Sequence, residues 1–136
     1  MSSQLNVDTI VDKAGSGGTN VKVANTSTYV GDGGSGTQNT VQSLVKCWFL
    51  DNEGGSSLDT FNVASNTDNS TGNYTKGFTN NFSSDNFSAP PACAQNTSTF
   101  VINSSRATSS VTTVNIKHDN SAIDGRQACN ICGDFA

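Results

Sequence analysis

The side chains with the greatest chemical reach in this chain are four cysteines, one histidine and one glutamate. Cys129 and Cys132 have the spacing of a zinc knuckle, and Cys47 and Cys93 would complete a four-thiolate set. A knuckle holds such a pair on a tight turn. Here the pair lies in Gln127–Gly133, which reads as a strand, where residues i and i+3 point to opposite faces. The same splay works against a Cys129–Cys132 disulfide. Buried thiols packed as small hydrophobes are favoured over a disulfide or a metal site, and no metal or cofactor is expected.

His118 stands beside Asp119 in His118-Asp119-Asn120-Ser121, a turn signature. Serines are abundant enough to complete a Ser/His/Asp set on paper, yet none sits in a nucleophile elbow. Paired carboxylates for glycoside hydrolysis are poorly supported. Glu53 is the single glutamate, it lies in a glycine-rich turn, and the ten aspartates fall mostly in turns. The glycine runs 15–18 and 31–36 lack the Lys-Ser/Thr of a phosphate loop and read as hinges. Trp48, Tyr74, Phe82 and Phe87 would suit sugar stacking, but read first as core or subunit interface. A non-enzymatic protein is expected, with a glycan-active enzyme as the lesser alternative.

The elements that position these residues are strands. Only 33% of the 136 residues are apolar, while Ser, Thr and Asn make up 52 of them. Disorder pairs low hydrophobicity with high net charge, whereas here charged residues are 13% and the net charge is −4. An all-β fold with polar outer faces and many turns fits this composition. Its core is lean, and burial between subunits is the natural remedy. The seven Lys and Arg are scattered, so no basic stripe addresses nucleic acid. No apolar run approaches a membrane span, and residues 1–8 show no signal-peptide pattern. Folding in a reducing cytoplasm is expected, and the seven Asn-X-Ser/Thr sequons then carry no meaning.

Residues 1–40 read as an N-terminal arm of a few short strands, with Leu5, Val7 and Ile10 as its attachment and oligomerisation residues. Residues 41–136 read as a β-sandwich or jelly-roll-like domain. Val41–Leu50 is the most apolar segment, with Val45, Cys47 and Phe49 on one face and Lys46, Trp48 and Leu50 on the other. That marks a central strand or one meeting another subunit. A hairpin follows, with Phe61 and Val63 sharing a face of its first strand, a turn at Asp68–Asn73, and Tyr74 and Phe78 sharing a face of its second. Pro90-Pro91 excludes an interior strand position. Thr99–Ile102, Ser110–Lys117 and Gln127–Gly133 are further strands.

Several of these stretches resemble appendage proteins of marine tailed phages: Leu5–Asp12, Lys46-Cys47-Trp48-Phe49, the hairpin from Phe61 to Phe78, and the ending Cys132-Gly133-Asp134-Phe135. The chain departs from that pattern at Cys129, Cys132, Asn66 and Pro90-Pro91. The resemblance implies a virion structural protein, assembled in the host cytoplasm and trimeric, either a tail-fibre-like subunit or a capsid decoration. Its implied partners are copies of itself, with Trp48 joining the arm residues at the contact, other virion proteins, and a host-surface glycan. No catalytic residue comes with it. Receptor-facing positions are expected on turns, at Asp68, Asn69, Asn73, Tyr74, His118 and Asp119.

Overall fold

Asn62 decides how this chain divides between two sheets. Its φ of 61° lies in the left-handed region, which asparagine tolerates better than most residues. Its side chain holds the bend, accepting the amide of Asn80 at 2.7 Å and donating to the Asn80 carbonyl at 3.1 Å. The strands on either side of it enter different sheets.

The computed structural model describes residues 27–30, 36–93 and 99–136. Among these residues the chain is all-β, without a helix, in ten strands: β1 Thr28–Val30, β2 Thr37–Asn39, β3 Val45–Asp51, β4 Ser57–Phe61, β5 Val63–Ser70, β6 Asn73–Phe78, β7 Pro91–Cys93, β8 Thr99–Ala107, β9 Ser110–Lys117 and β10 Gln127–Cys132. β1 and β2 form a two-stranded ladder. The other eight make two antiparallel four-stranded sheets, ordered β4-β3-β10-β7 and β5-β6-β9-β8. Hairpins supply the local pairs β3–β4, β5–β6 and β8–β9. The chain crosses between sheets after β4, β6, β7 and β9.

Alternation along the central strands places the core between the two sheets. Cys47, Phe49 and Asp51 of β3 point inward with Gln127, Cys129 and Ile131 of β10. From the other sheet come Tyr74, Lys76 and Phe78 of β6 and Val111, Thr113 and Asn115 of β9. The link between β6 and β7 folds Phe82, Phe87 and Ala89 into the apolar cluster. Phe78 and Phe82 meet edge to face at 5.0 Å, and Phe82 and Phe87 lie 4.7 Å apart. Each buried phenylalanine contributes about 2 kcal/mol over exposure. This is a β-sandwich, and its core grades from aromatic to polar.

Several sequence expectations are corrected here. Phe61 and Val63 do not share a strand face, because Asn62 sends them to different sheets. The strand expected from Val41 starts at Val45. Residues 41–44 turn instead, with Asn39 Oδ1 accepting the amides of Val41 and Gln42, both at 2.9 Å. The strand also runs one residue past the apolar segment that ends at Leu50, taking in Asp51, which is buried. Asp68 and Asn69 lie in β5, and the turn expected at Asp68–Asn73 shrinks to Thr71-Gly72. The exclusion of Pro90-Pro91 from an interior strand holds, since Pro91 opens β7, an edge strand, where a missing amide breaks no interior ladder.

Candidate functional site

Three connections meet at one end of the sandwich: Asn52–Ser56 between β3 and β4, Thr71-Gly72 between β5 and β6, and residues 118–126 between β9 and β10. Tyr74 is the post they are built around, only 1% exposed. Its hydroxyl donates to Asp124 Oδ1 at 2.8 Å, and Gly72 donates its amide to the same oxygen at 2.6 Å. Gly55, at φ 74°, lies so close to the ring that a Cβ there would fall 1.9 Å from Tyr74 Cε1. Asn66 donates its side-chain amide to the Gly55 carbonyl. Asn115 closes the arrangement, with its amide donating to Gly72 O at 2.9 Å and its side chain to Gly125 O at 2.6 Å. Burial and the Asp124 carboxylate both push the Tyr74 phenol well above its ordinary range.

Glu53, Ile123, Asp124 and Arg126 line a cleft of about 210 Å³ that Cys93 and Thr99 complete. Asp119 does not address His118. Its carboxylate accepts the amide and hydroxyl of Ser121, at 2.9 and 2.6 Å, which holds it below the usual carboxylate range. Among the described residues no group of three or more His, Cys, Asp or Glu is placed to hold a metal ion. No disulfide joins the four cysteines. Cys47 and Cys129 are buried, and desolvation pushes both thiols up to about 12.

Of the residues named from sequence, Asp68, Asn69, His118 and Asp119 are exposed and Asn73 is half-buried. Asn69 donates to Asn73 Oδ1 at 3.2 Å and Thr75 Oγ1 at 2.8 Å, a cross-strand network on the outer face of β5 and β6. Tyr74 is the correction: it faces the core, so it offers no ring to a sugar. Its neighbour in register, Asp68, shares that face but stands exposed on the edge strand β5. Phe82 and Phe87 are core residues. Leu5, Val7 and Ile10 lie outside the described residues. Trp48 is half-buried on the outer face of its sheet, directly opposite Phe61 of β4.

Sequence reasoning missed a buried ion pair. Lys76 Nζ and Asp51 Oδ2 stand 2.7 Å apart between the sheets, both side chains with no solvent exposure. Ser57 donates its hydroxyl to Asp51 Oδ1 at 3.0 Å and accepts from Lys76 Nζ at 3.3 Å. The Phe49 ring lies 5.2 Å from Nζ. Burial lowers the Lys76 ammonium and raises the Asp51 carboxyl, against the pull of each charge on the other. One signal was available in the sequence: Lys76 falls between Tyr74 and Phe78 on the inward face of an alternating strand.

The fold defines a β-sandwich with polar turns clustered at one end. No family model matches the chain, and no curated protein or solved structure matches it either.

Proposed function

We propose that this chain is a structural virion subunit, a tail-fibre-like appendage protein of a tailed phage, which works by presenting its sandwich in an oligomer to a host surface. The observation that carries this reading is an exposed apolar patch on the outer face of each sheet. On one, Trp48 sits opposite Phe61, which is 51% exposed, with Leu50 and Ala128 paired beside them. On the other, Phe100 pairs with Ile116 and Ile102 with Val114, and Phe100 is 45% exposed. A chain this poor in apolar residues places them outward while it buries Asp51, Lys76, Thr113, Asn115 and Gln127. That allocation suits a subunit that completes its burial against copies of itself. Two different patches on one subunit make a heterologous contact, and closure after three copies gives a trimer.

The turn cluster around Tyr74 is the surface left for partners, and repetition by symmetry converts weak polar contacts into avidity. Light scattering of the purified chain is expected to give about three times 14.1 kDa. Phe61→Glu combined with Ile102→Glu should reduce that to one. A wild-type monomer at micromolar concentration overturns the reading. Labelling of intact particles with an antibody to residues 118–126 separates a tail position from a head decoration.

A further inference from the structure

We propose that Lys76 and Asp51 join covalently, through an amide bond between Nζ and Cγ that staples the two sheets together.

The first support is distance. Nζ lies 2.7 Å from Oδ2, inside the range from which an amine reaches a carboxyl carbon, and the two strands that carry it are held by their ladders. The second is desolvation. Neither side chain touches solvent, and the face of Phe49 shields the nitrogen. A buried ion pair of this kind is costly to hold as two charges. Moving one proton from ammonium to carboxylate yields an amine and a carboxylic acid, the reactive pair, and burial shifts both groups in that direction.

The third support is a proton path. The Ser57 hydroxyl is hydrogen-bonded to both partners, accepting from Nζ and donating to Oδ1. As the Nζ lone pair attacks Cγ, one proton can pass from Nζ to Oγ while the Oγ proton passes to Oδ1. Collapse of the tetrahedral carbon breaks the Cγ–Oδ1 bond. The oxygen leaves as water, carrying the carboxyl proton and one amine proton. The N–C bond replaces the C–O bond, and no oxidant, cofactor or further reactant is required. Ser57 is itself exposed to solvent, which gives the water a way out.

The product would tie β3 to β6 across the core independently of oligomerisation, a staple available to a chain with few apolar residues to bury. The test is the intact mass of the full chain, purified folded, then unfolded in acid with a thiol reductant. Wild type is expected to be lighter by one water than its sequence mass, measured beside Lys76→Arg and Asp51→Ala, which should show none of this loss. Proteolysis should recover the peptides of Asp51 and Lys76 as one branched species. Asp51→Asn should form the same amide by releasing ammonia, and Ser57→Ala should accumulate it more slowly. A wild-type chain that keeps its full mass after prolonged folded incubation overturns the proposal. So does a water loss that maps to other residues.

Discussion

Tyr74 Oη and Asp124 Oδ1 lie 2.8 Å apart, joining the second strand of a hairpin to the loop before the last strand across fifty residues of chain. The ring is buried and the carboxylate exposed, so this bond is the seam between core and turn cluster. Everything at that end is referred to it. Gly72 shares the carboxylate oxygen, and Gly55 packs on the ring.

Removing the hydroxyl tests the seam. Tyr74→Phe keeps the ring and should cost about 1 kcal/mol, the ordinary net value of one hydrogen bond. Urea unfolding should show a lower midpoint with an unchanged slope. Hydrogen exchange should rise first in residues 118–126 and at Gly72, with Phe78 and Val111 protected as before.

Gly55 tolerates no side chain, since its φ is positive and the space a Cβ needs is filled by Tyr74. Gly55→Ala should destabilise the fold by about 2–3 kcal/mol. Gly54→Ala, one residue earlier, meets only Asn52 Oδ1 at 3.7 Å and should be nearly neutral. Thermal melts of the two variants side by side give the comparison.

Asn62 has two tasks, a left-handed backbone and three side-chain hydrogen bonds with Asn80. Asn62→Gly keeps the first and loses the second, and should cost about 1 kcal/mol. Asn62→Ala loses both and should cost about 2–3 kcal/mol. Equal losses in denaturant titrations would mean that the backbone conformation contributes nothing.

Alkaline pH should weaken the folded state. Cys47 and Cys129 ionise at about 12 when folded, against an ordinary value of 9.0, and the Tyr74 phenol is raised from 10.0. Above pH 9 the unfolded chain binds fewer protons than the folded one, so stability falls as pH rises through the folded values. Denaturant midpoints should therefore decline steadily from about pH 9. Cys47→Ala should flatten part of that slope at the cost of a core cavity. At pH 8 a thiol reagent should leave Cys47 and Cys129 unlabelled until the protein unfolds.

Much of the strand content was readable because alternation is a local property. Cys47 and Phe49, or Tyr74 and Phe78, share a face wherever their strand ends up. The hairpin that turns at Gly72 was readable too, since a positive φ at glycine is a short-range requirement. Pro91 restricted its own strand to an edge because proline lacks an amide.

Which face turns inward was not local. In β9 the more apolar side, Val114 and Ile116, points outward, while Thr113 and Asn115 are buried, because Asn115 anchors Gly72, Ile123 and Gly125 from other parts of the chain. The sheet change at Asn62 depends on Asn80 arriving from beyond the next hairpin. The Lys76–Asp51 contact exists only once β3 and β6 lie on facing sheets, and nothing in either local sequence specifies that crossing. Residue types and spacing thus determined the alternation along β3, β6, β9 and β10, and the existence of the main turns more than their bounds. Tertiary packing decided the partners of Tyr74, Asn115 and Lys76, since burial and pairing depend on segments far apart in the chain.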